Sequence, residues 1–396
     1  MKYDLCVIGG FGHVGLPLSL AFANRGLSAA ALDISEEKRA LISSGRMPFI
    51  EHGAEEILKK VLARGSLELT LNPEVVRDSE NVIIVVGTPV DKHLNPRLDI
   101  LTELLDSYLD YFTNGQCLIL RSTVYPGTSR QVFEYLRNKG KDLDVAFCPE
   151  RIAEGFAMTE LVELPQIVSS FTERGVERAS RLFRRIVEEI VVLDPLEAEL
   201  AKLFTNTWRY IKFSVANQFY MIANDCGLDF SRIHHAITHE YPRAKDLPRS
   251  GFAAGPCLFK DTVQLSAFKN HTFFLGHSAL LINEGLPYYL INRLRERTSL
   301  RDASVGILGM AFKANVDDNR ESLSYKLKKL LEFECRRVLC SDPFVKDPKF
   351  VSTEELIEQS DIVVLATPHD KYRNLEIGSG KLLVDVWNFF GRGCRV

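Results

Sequence analysis

No apolar stretch in this sequence reaches the roughly 20 residues that a bilayer demands, so a membrane-spanning helix is not expected. There is no large excess of either charge. A formal net charge of −3 gives no electrostatic case for nucleic acid or an anionic membrane. No two cysteines form a C-x-x-C pair, and the nine histidines form neither H-E-x-x-H nor a Cys/His cluster, so no metal is expected. Cys6, Cys117, Cys148, Cys226, Cys257, Cys335, Cys340 and Cys394 are scattered along the chain, the pattern of a reducing cytoplasm rather than of a disulfide framework. Solenoid-length repeats and low-complexity segments are also missing. Lys2 precedes an apolar patch, but glycines interrupt the patch too early for a secretory signal, and it reads as a first strand.

What is present suits a globular α/β protein of two or three domains: 396 residues, 46% of them hydrophobic. The run Tyr3 to Ile8 ends in glycine, as a buried parallel strand should. Gly10-Phe11-Gly12-His13-Val14-Gly15 follows and opens an apolar helical stretch, Leu16 to Ala23. In this context G-x-G-x-x-G is a dinucleotide fingerprint. Gly10 makes the turn, Gly12 admits a pyrophosphate and Gly15 lets helix and strand pack closely. A second strand, Leu27 to Leu32, ends at Asp33, at the spacing where a carboxylate meets the adenosine ribose. A carboxylate there repels a 2′-phosphate, so NAD is expected rather than NADP.

Further strands, Asn81 to Val86, Gln116 to Leu120 and Asp144 to Phe147, end near Thr88, Thr123 and Glu150. Their alternation with helical segments predicts a doubly wound parallel sheet, whose ligands lie at the carboxyl ends of the strands. Glu150 and Glu154 stand four apart and, on a helical turn, would share a face, raising one pKa for general-base work. Leu196 to Asp225 holds no glycine or proline and predicts one long helix, with Lys202 and Asn206 one turn apart. Arg243 and Arg249 suit a phosphate or a sugar hydroxyl. Gly251-Phe252-Ala253-Ala254-Gly255-Pro256-Cys257-Leu258-Phe259-Lys260-Asp261 sets one thiol among small residues, with a cation and a carboxylate close behind. These flanks argue against a strand or a core helix, and the residues alone leave two readings open, a reactive nucleophile or a buried structural thiol. Strand-helix alternation then restarts with Ser304 to Leu308, followed by Arg337 to Leu339, Asp361 to Ala366 and Leu382 to Val386. Gly309-Met310-Ala311-Phe312-Lys313 replaces the full fingerprint, so this Rossmann-like part is expected to hold something other than a dinucleotide. The expected division is an N-terminal Rossmann domain over 1–195, a central long-helix domain over 196–295 and a C-terminal Rossmann-like domain over 296–396, with the charged stretch Leu294 to Asp302 as a boundary.

Taken in order, these motifs resemble the UDP-glucose/GDP-mannose dehydrogenase family over nearly the whole chain. They are Gly10 to Pro17, Gly87-Thr88-Pro89, Ser122-Thr123-Val124, Pro149-Glu150 through Glu154-Gly155, Lys202 with Asn206, the Cys257 loop with Asp261, and Gly309 to Lys313 with Arg320-Glu321-Ser322. The resemblance implies four-electron oxidation of C6 of a nucleotide sugar to the acid by a cytoplasmic homodimer or larger oligomer. Cys257 would carry a thiohemiacetal and then a thioester. Glu150 would act as base, Lys202 and Asp261 would activate the alcohol or water, and Asn206 and Thr123 would complete the polar surround. It also implies that Gly10, Gly12, His13, Val14, Gly15, Asp33, Lys38, Thr88, Thr123, Glu154 and Arg320 hold NAD. Glu150, Lys202, Asn206, Arg243, Gly255, Phe312 and Lys313 would hold the nucleotide sugar. This chain departs from the family's habit at His13, Ala254, Pro256, Phe259 and Gln218, which bears on the choice of sugar. Tyr241-Pro242-Arg243 is similar to the His-Pro-Arg of the branch that acts on N-acetylated UDP-sugars. The alternatives are a GDP-mannose 6-dehydrogenase, a two-electron hydroxyacid dehydrogenase, which needs neither Cys257 nor a second nucleotide domain, and a catalytically silent nucleotide-sugar-binding protein.

Overall fold

Strands that are apolar on both faces need cover on both faces. The computed structural model, which describes residues 2–87, 98–270 and 272–396, provides it. The chain divides into two compact units, Met1–Thr205 and Asn206–Val396, and the division falls inside the helix Pro195–Asp225.

In the first unit the described residues form β1 (Tyr3–Ile8), β2 (Ala29–Leu32), β3 (Leu67–Thr70), β4 (Ser79–Ile84), β5 (Cys117–Leu120), β6 (Asp144–Phe147), β7 (Gln166–Ser170) and β8 (Ile190–Val192). They make one sheet in the order β3-β2-β1-β4-β5-β6-β7-β8, parallel except where β7 runs antiparallel to β6. Alternate residues serve opposite cores. Leu5, Val7, Ile83 and Ile119 pack with Leu16, Leu20 and Leu58 on one face, whereas Cys6, Ile8, Val82 and Leu118 pack with Leu105 and Val132 on the other. The strand order reverses between β1 and β4, which opens a crevice at their carboxyl ends, where ligands of such sheets sit. The expected strands are found with shifted ends. The second begins at Ala29 rather than Leu27, because Leu27 still belongs to the turn that closes the first helix, its N–H bonded to the Phe22 carbonyl.

The second unit holds β9 (Ser304–Leu308), β10 (Arg337–Ser341), β11 (Ile362–Leu365) and β12 (Leu382–Val384), all parallel, in the order β10-β9-β11-β12. Val305, Ile307, Ile362 and Val364 share a core with Tyr220 and Ala223 of the long helix and Leu286, Leu290 and Leu294 of the helix Phe274–Arg297. Leu294 and Leu300, in the charged stretch that the sequence offers as a boundary, are buried in that same core. Among the described residues, no helix is long and apolar enough to cross a membrane.

Candidate active site

After β1 the chain turns at Gly9, whose φ of +83° places the left-handed residue one position before the expected Gly10. Gly10 and Gly15 answer to packing. A Cβ on Gly10 would lie 2.8 Å from Ala31 Cα of β2, and one on Gly15 would lie 2.2 Å from the Gly9 carbonyl oxygen. Gly12 differs: the nearest atom to a Cβ there is 3.6 Å away, so its surface is open to a ligand. Val14 stands at the N-cap of the helix Gly15–Asn24 and provides no side-chain cap. Leu16 N bonds to the Gly12 carbonyl and Pro17 has no N–H, so the Gly15 N–H and the helix dipole are what the first turn leaves for an anion. Asp33 is half-buried at the end of β2. One carboxylate oxygen accepts from Phe11 N at 2.9 Å and the other from Ile34 N at 2.8 Å, so each keeps a lone pair for a ribose hydroxyl. Ile34 beside it is 92% exposed, an apolar surface placed for the face of a purine. These residues fit a dinucleotide. His13 stacks on Phe49 at 4.1 Å, and Lys38 lies exposed on the helix Glu36–Ser43. Thr88 lies outside the described residues.

Thr123 follows β5 and Glu154 lies in the loop after β6, both half-buried. Glu150 behaves differently from expectation. Residues 150–154 do not form a helical turn, so Glu150 and Glu154 do not pair by helical spacing. Instead Glu150 Oε2 accepts from Arg121 Nε at 2.9 Å and Nη2 at 2.6 Å, and Oε1 accepts from the backbone N–H groups of Arg151 and Ile152 at 2.6 and 2.8 Å. The Arg121 side chain is 2% exposed and also donates to the Cys148 carbonyl and Gln166. Four donors on one carboxylate make an anchor, which ties the loop after β6 to the end of β5.

Two of the expected polar residues share one face of the long helix. Lys202 is buried, and among the described residues no hydrogen bond or ion pair reaches its ammonium. One turn on, Asn206 donates its amide to Asp261 Oδ2 at 2.6 Å. Asp261 is fully buried, and its other oxygen has no hydrogen-bond partner among the described residues; Lys260 Nζ lies 3.8 Å from it. Burial explains why so short a contact persists: an amide that meets a dry carboxylate does not compete with water.

Cys257 is exposed at the N-cap of the helix Leu258–Phe268, the end whose N–H groups and dipole favour a thiolate. Asp261 follows one turn later, its N–H bonded to the Cys257 carbonyl at 2.9 Å. Most other thiols are disqualified. Burial pushes Cys117 and Cys394 up to about 12, Cys335 and Cys340 up to about 11, and Cys6 and Cys148 higher still. Cys226, also exposed, follows a helix C-terminus.

Gly255 has a φ of +105°, and a Cβ there would lie 2.5 Å from the Phe312 ring. The expected substrate residues Gly255 and Phe312 are therefore in contact, and the Gly255 N–H reaches the Glu321 carbonyl at 3.3 Å. Arg320 is paired with Asp318, its Nε 2.8 Å from Oδ2. Lys313 is half-buried next to Phe312, and Arg243 is exposed beside Tyr241.

One residue that the sequence reading passes over belongs with these. Glu199 is 1% exposed, three residues before Lys202. Its carboxylate caps the helix Thr128–Asn138, accepting from Gly127 N at 2.5 Å and from Ser129 N at 2.8 Å and Oγ. It thereby fastens the start of the long helix to the loop that carries Thr123. The available signal was an acid on the buried, otherwise apolar face of a helix, a position acids seldom take without partners.

A glycine turn of this kind, with its acid at the ribose position, serves a dinucleotide-dependent oxidoreductase. Sequence models of the UDP-glucose/GDP-mannose dehydrogenase family match along the chain: the NAD binding domain over residues 3–187, the central domain over 196–284 and the UDP binding domain over 306–392. The chain belongs to that family, and so is an NAD-dependent nucleotide-sugar dehydrogenase. It is 31% identical over 398 residues to a UDP-N-acetyl-D-mannosamine dehydrogenase of Pyrococcus horikoshii, with 98% of this chain and 92% of that protein covered. A solved structure of UDP-D-ManNAc dehydrogenase from Pyrococcus horikoshii superposes with a TM-score of 0.90 at 29% identity, covering 97% of this chain and 95% of that one. A UDP-glucose dehydrogenase from Pyrobaculum islandicum superposes with a TM-score of 0.89 at 26% identity, covering 98% and 94%.

Proposed function

We propose that this protein oxidises C6 of a UDP-sugar, UDP-glucose or a UDP-N-acetylhexosamine, from alcohol to carboxylate through a covalent intermediate on Cys257. The observation that carries the reading is the exposed Cys257 thiol at a helix N-terminus, with buried Asp261 one turn along and bound to Asn206. The named relatives, dehydrogenases of UDP-sugars, support a UDP-sugar over GDP-mannose. Residues 1–195 would hold NAD, 196–295 would supply the catalytic groups and 296–396 would hold the nucleotide.

Bound NAD⁺ supplies the hydride acceptor for both oxidations. Gly12, the open helix N-terminus at Gly15 and Asp33 would hold its pyrophosphate and ribose, joined by His13, Val14, Lys38, Thr88, Thr123, Glu154 and Arg320. Lys202 and Asp261 would activate the C6 hydroxyl, whose proton passes to the Asp261 carboxylate as C6 gives up a hydride and becomes an aldehyde. The Cys257 thiolate would then attack the aldehyde carbon, and the resulting thiohemiacetal would collapse to a thioester. Water would cleave it, releasing the acid and the thiol. Lys202 and Asn206 would steady the oxyanions, and the nucleotide would rest on Gly255, Phe312 and Lys313, with Arg243 reaching the substrate. A covalent hold prevents a reactive aldehyde from leaving between the two oxidations.

Turnover against a panel of UDP- and GDP-sugars tests this. Two NADH should appear per acid formed. One NADH per product would indicate the two-electron hydroxyacid chemistry instead, and none with any sugar would indicate a silent binding protein.

We further propose a homodimer through the long helix. Phe204, Trp208, Phe219 and Ile222 are 53%, 56%, 44% and 54% exposed on it, more large apolar surface than one helix usually leaves to water. Light scattering should give the dimer mass for the native protein and the monomer mass for Trp208→Glu. A native monomer would refute the assignment.

A further inference from the structure

The two sheets share a local plan that ends in different chemistry. Each has a glycine turn after its first strand and an acid at the end of the neighbouring strand: Asp33 after β2, Asp342 after β10. Asp33 keeps free lone pairs. The Asp342 carboxylate is fully buried and taken up by protein. Oδ2 accepts from Met310 N at 2.6 Å, Ala311 N at 2.9 Å and His369 Nε2 at 3.1 Å, and Oδ1 accepts from Phe344 N at 2.8 Å and Val345 N at 2.9 Å. No lone pair is left for a ribose. The acid's work is to hold the backbone at 310–311.

His369 completes the hold. It follows β11, next to the point where this sheet's strand order reverses, and it is 0% exposed. Its Nδ1 accepts the Asn315 N–H at 2.9 Å, so Nδ1 carries no proton. Nε2 therefore carries it and donates to Asp342. One neutral ring thus grips both ends of residues 310–315, the stretch that presents Phe312 and Lys313. The grip has further points. The Thr367 hydroxyl donates to the Ala311 carbonyl at 2.6 Å, and Asn315 exchanges two hydrogen bonds with Asp370, at 2.7 and 3.0 Å. Asn315 itself sits at a φ of +61°, a conformation that needs such support.

We infer that His369 is the positioning residue of the nucleotide-sugar loop: its two ring nitrogens, one accepting and one donating, fix the loop conformation in which Phe312 and Lys313 meet the nucleotide. This rests on the reading above that these two residues hold the nucleotide. The geometry is specific to histidine. An asparagine amide reaches only the place of Nδ1, and a glutamine amide only that of Nε2, so each substitution keeps one half of the bridge.

Calorimetric titration of the full-length protein with UDP, and separately with NAD⁺, tests the inference. His369→Asn and His369→Gln should each weaken UDP binding about tenfold or more, as expected for losing one buried hydrogen bond in a charged network, while NAD⁺ affinity stays within about twofold. ¹⁵N spectra of histidine-labelled native protein should show His369 as the Nε2–H tautomer. Lys313→Ala should weaken UDP binding by itself. If Lys313→Ala weakens UDP but both His369 variants bind it normally, His369 has no positioning role. If Lys313→Ala also leaves UDP binding unchanged, the nucleotide assignment of the loop falls first. Loss of NAD⁺ binding together with UDP binding in both His369 variants, or the other tautomer, would also overturn the inference.

Discussion

Cys257→Ser protein is expected to bind NAD⁺ with native affinity and to form acid at least about 10³-fold more slowly than the native enzyme. The two halves of this result have separate physical causes. The groups that fit NAD, Gly12, the helix N-terminus at Gly15 and Asp33, belong to the first unit, whereas Cys257 belongs to the second. A serine keeps the shape of the loop, because Cys257 is exposed and packs into no core. It does not keep the proposed nucleophile. A hydroxyl at a helix N-terminus stays protonated at neutral pH, whereas a thiol there is readily ionised. Quantifying acid by chromatography, beside NAD⁺ titration, checks both halves. Native turnover in the variant would remove the sulfur from the reaction. Loss of NAD⁺ affinity would mean that the substitution had disturbed more than the nucleophile.

Glu150→Gln is expected to lower stability by about 3–5 kcal/mol, the usual consequence of breaking a buried ion pair from one side. The Arg121 side chain is 2% exposed and the Glu150 side chain 10%, so water cannot replace the lost partner. A carboxamide also turns one acceptor into a donor that faces N–H groups, whichever way it is rotated. The first melting transition should fall by about 10 °C. Replacing both residues, Arg121→Leu with Glu150→Leu, should recover much of the loss, because no unpaired charge then remains buried. This separates two roles for Glu150. A base that cleaves the thioester would lose hydrolysis even in the protein that remains folded. An anchor of the loop after β6 would lose the melting point first. The four donors on the carboxylate make it an anchor, and an unchanged melting point would refute that; loss of hydrolysis by the folded variant would support the base as well.

Much of the architecture was legible along the chain because its causes are local. A strand covered on both faces must be apolar throughout, and β1, β4 and β5 read that way. The glycine fingerprint demands a turn, and a turn formed, although its left-handed residue is Gly9 rather than Gly10. Lys202 and Asn206 lie one turn apart because 3.6 residues make a turn in any helix. Cys257 among small residues, before a helix-forming run, points to a helix N-terminus by the same local reasoning.

The sequence by itself determined the local features, the apolar strands, the glycine turn, the long helix and the helix that starts after Cys257, and it nominated the candidates for chemistry. Only the tertiary structure decided what those residues touch. Glu150 found Arg121 29 positions away, Glu199 found Ser129 70 positions away, and His369 found Asn315 54 positions away. These partners meet because β5 lies beside β6, and β9 beside β10 and β11, an order set by how whole faces pack. Periodicity reports which face of an element is buried. It holds no record of which element comes to lie against that face, so the partners of buried charges became visible only in the fold.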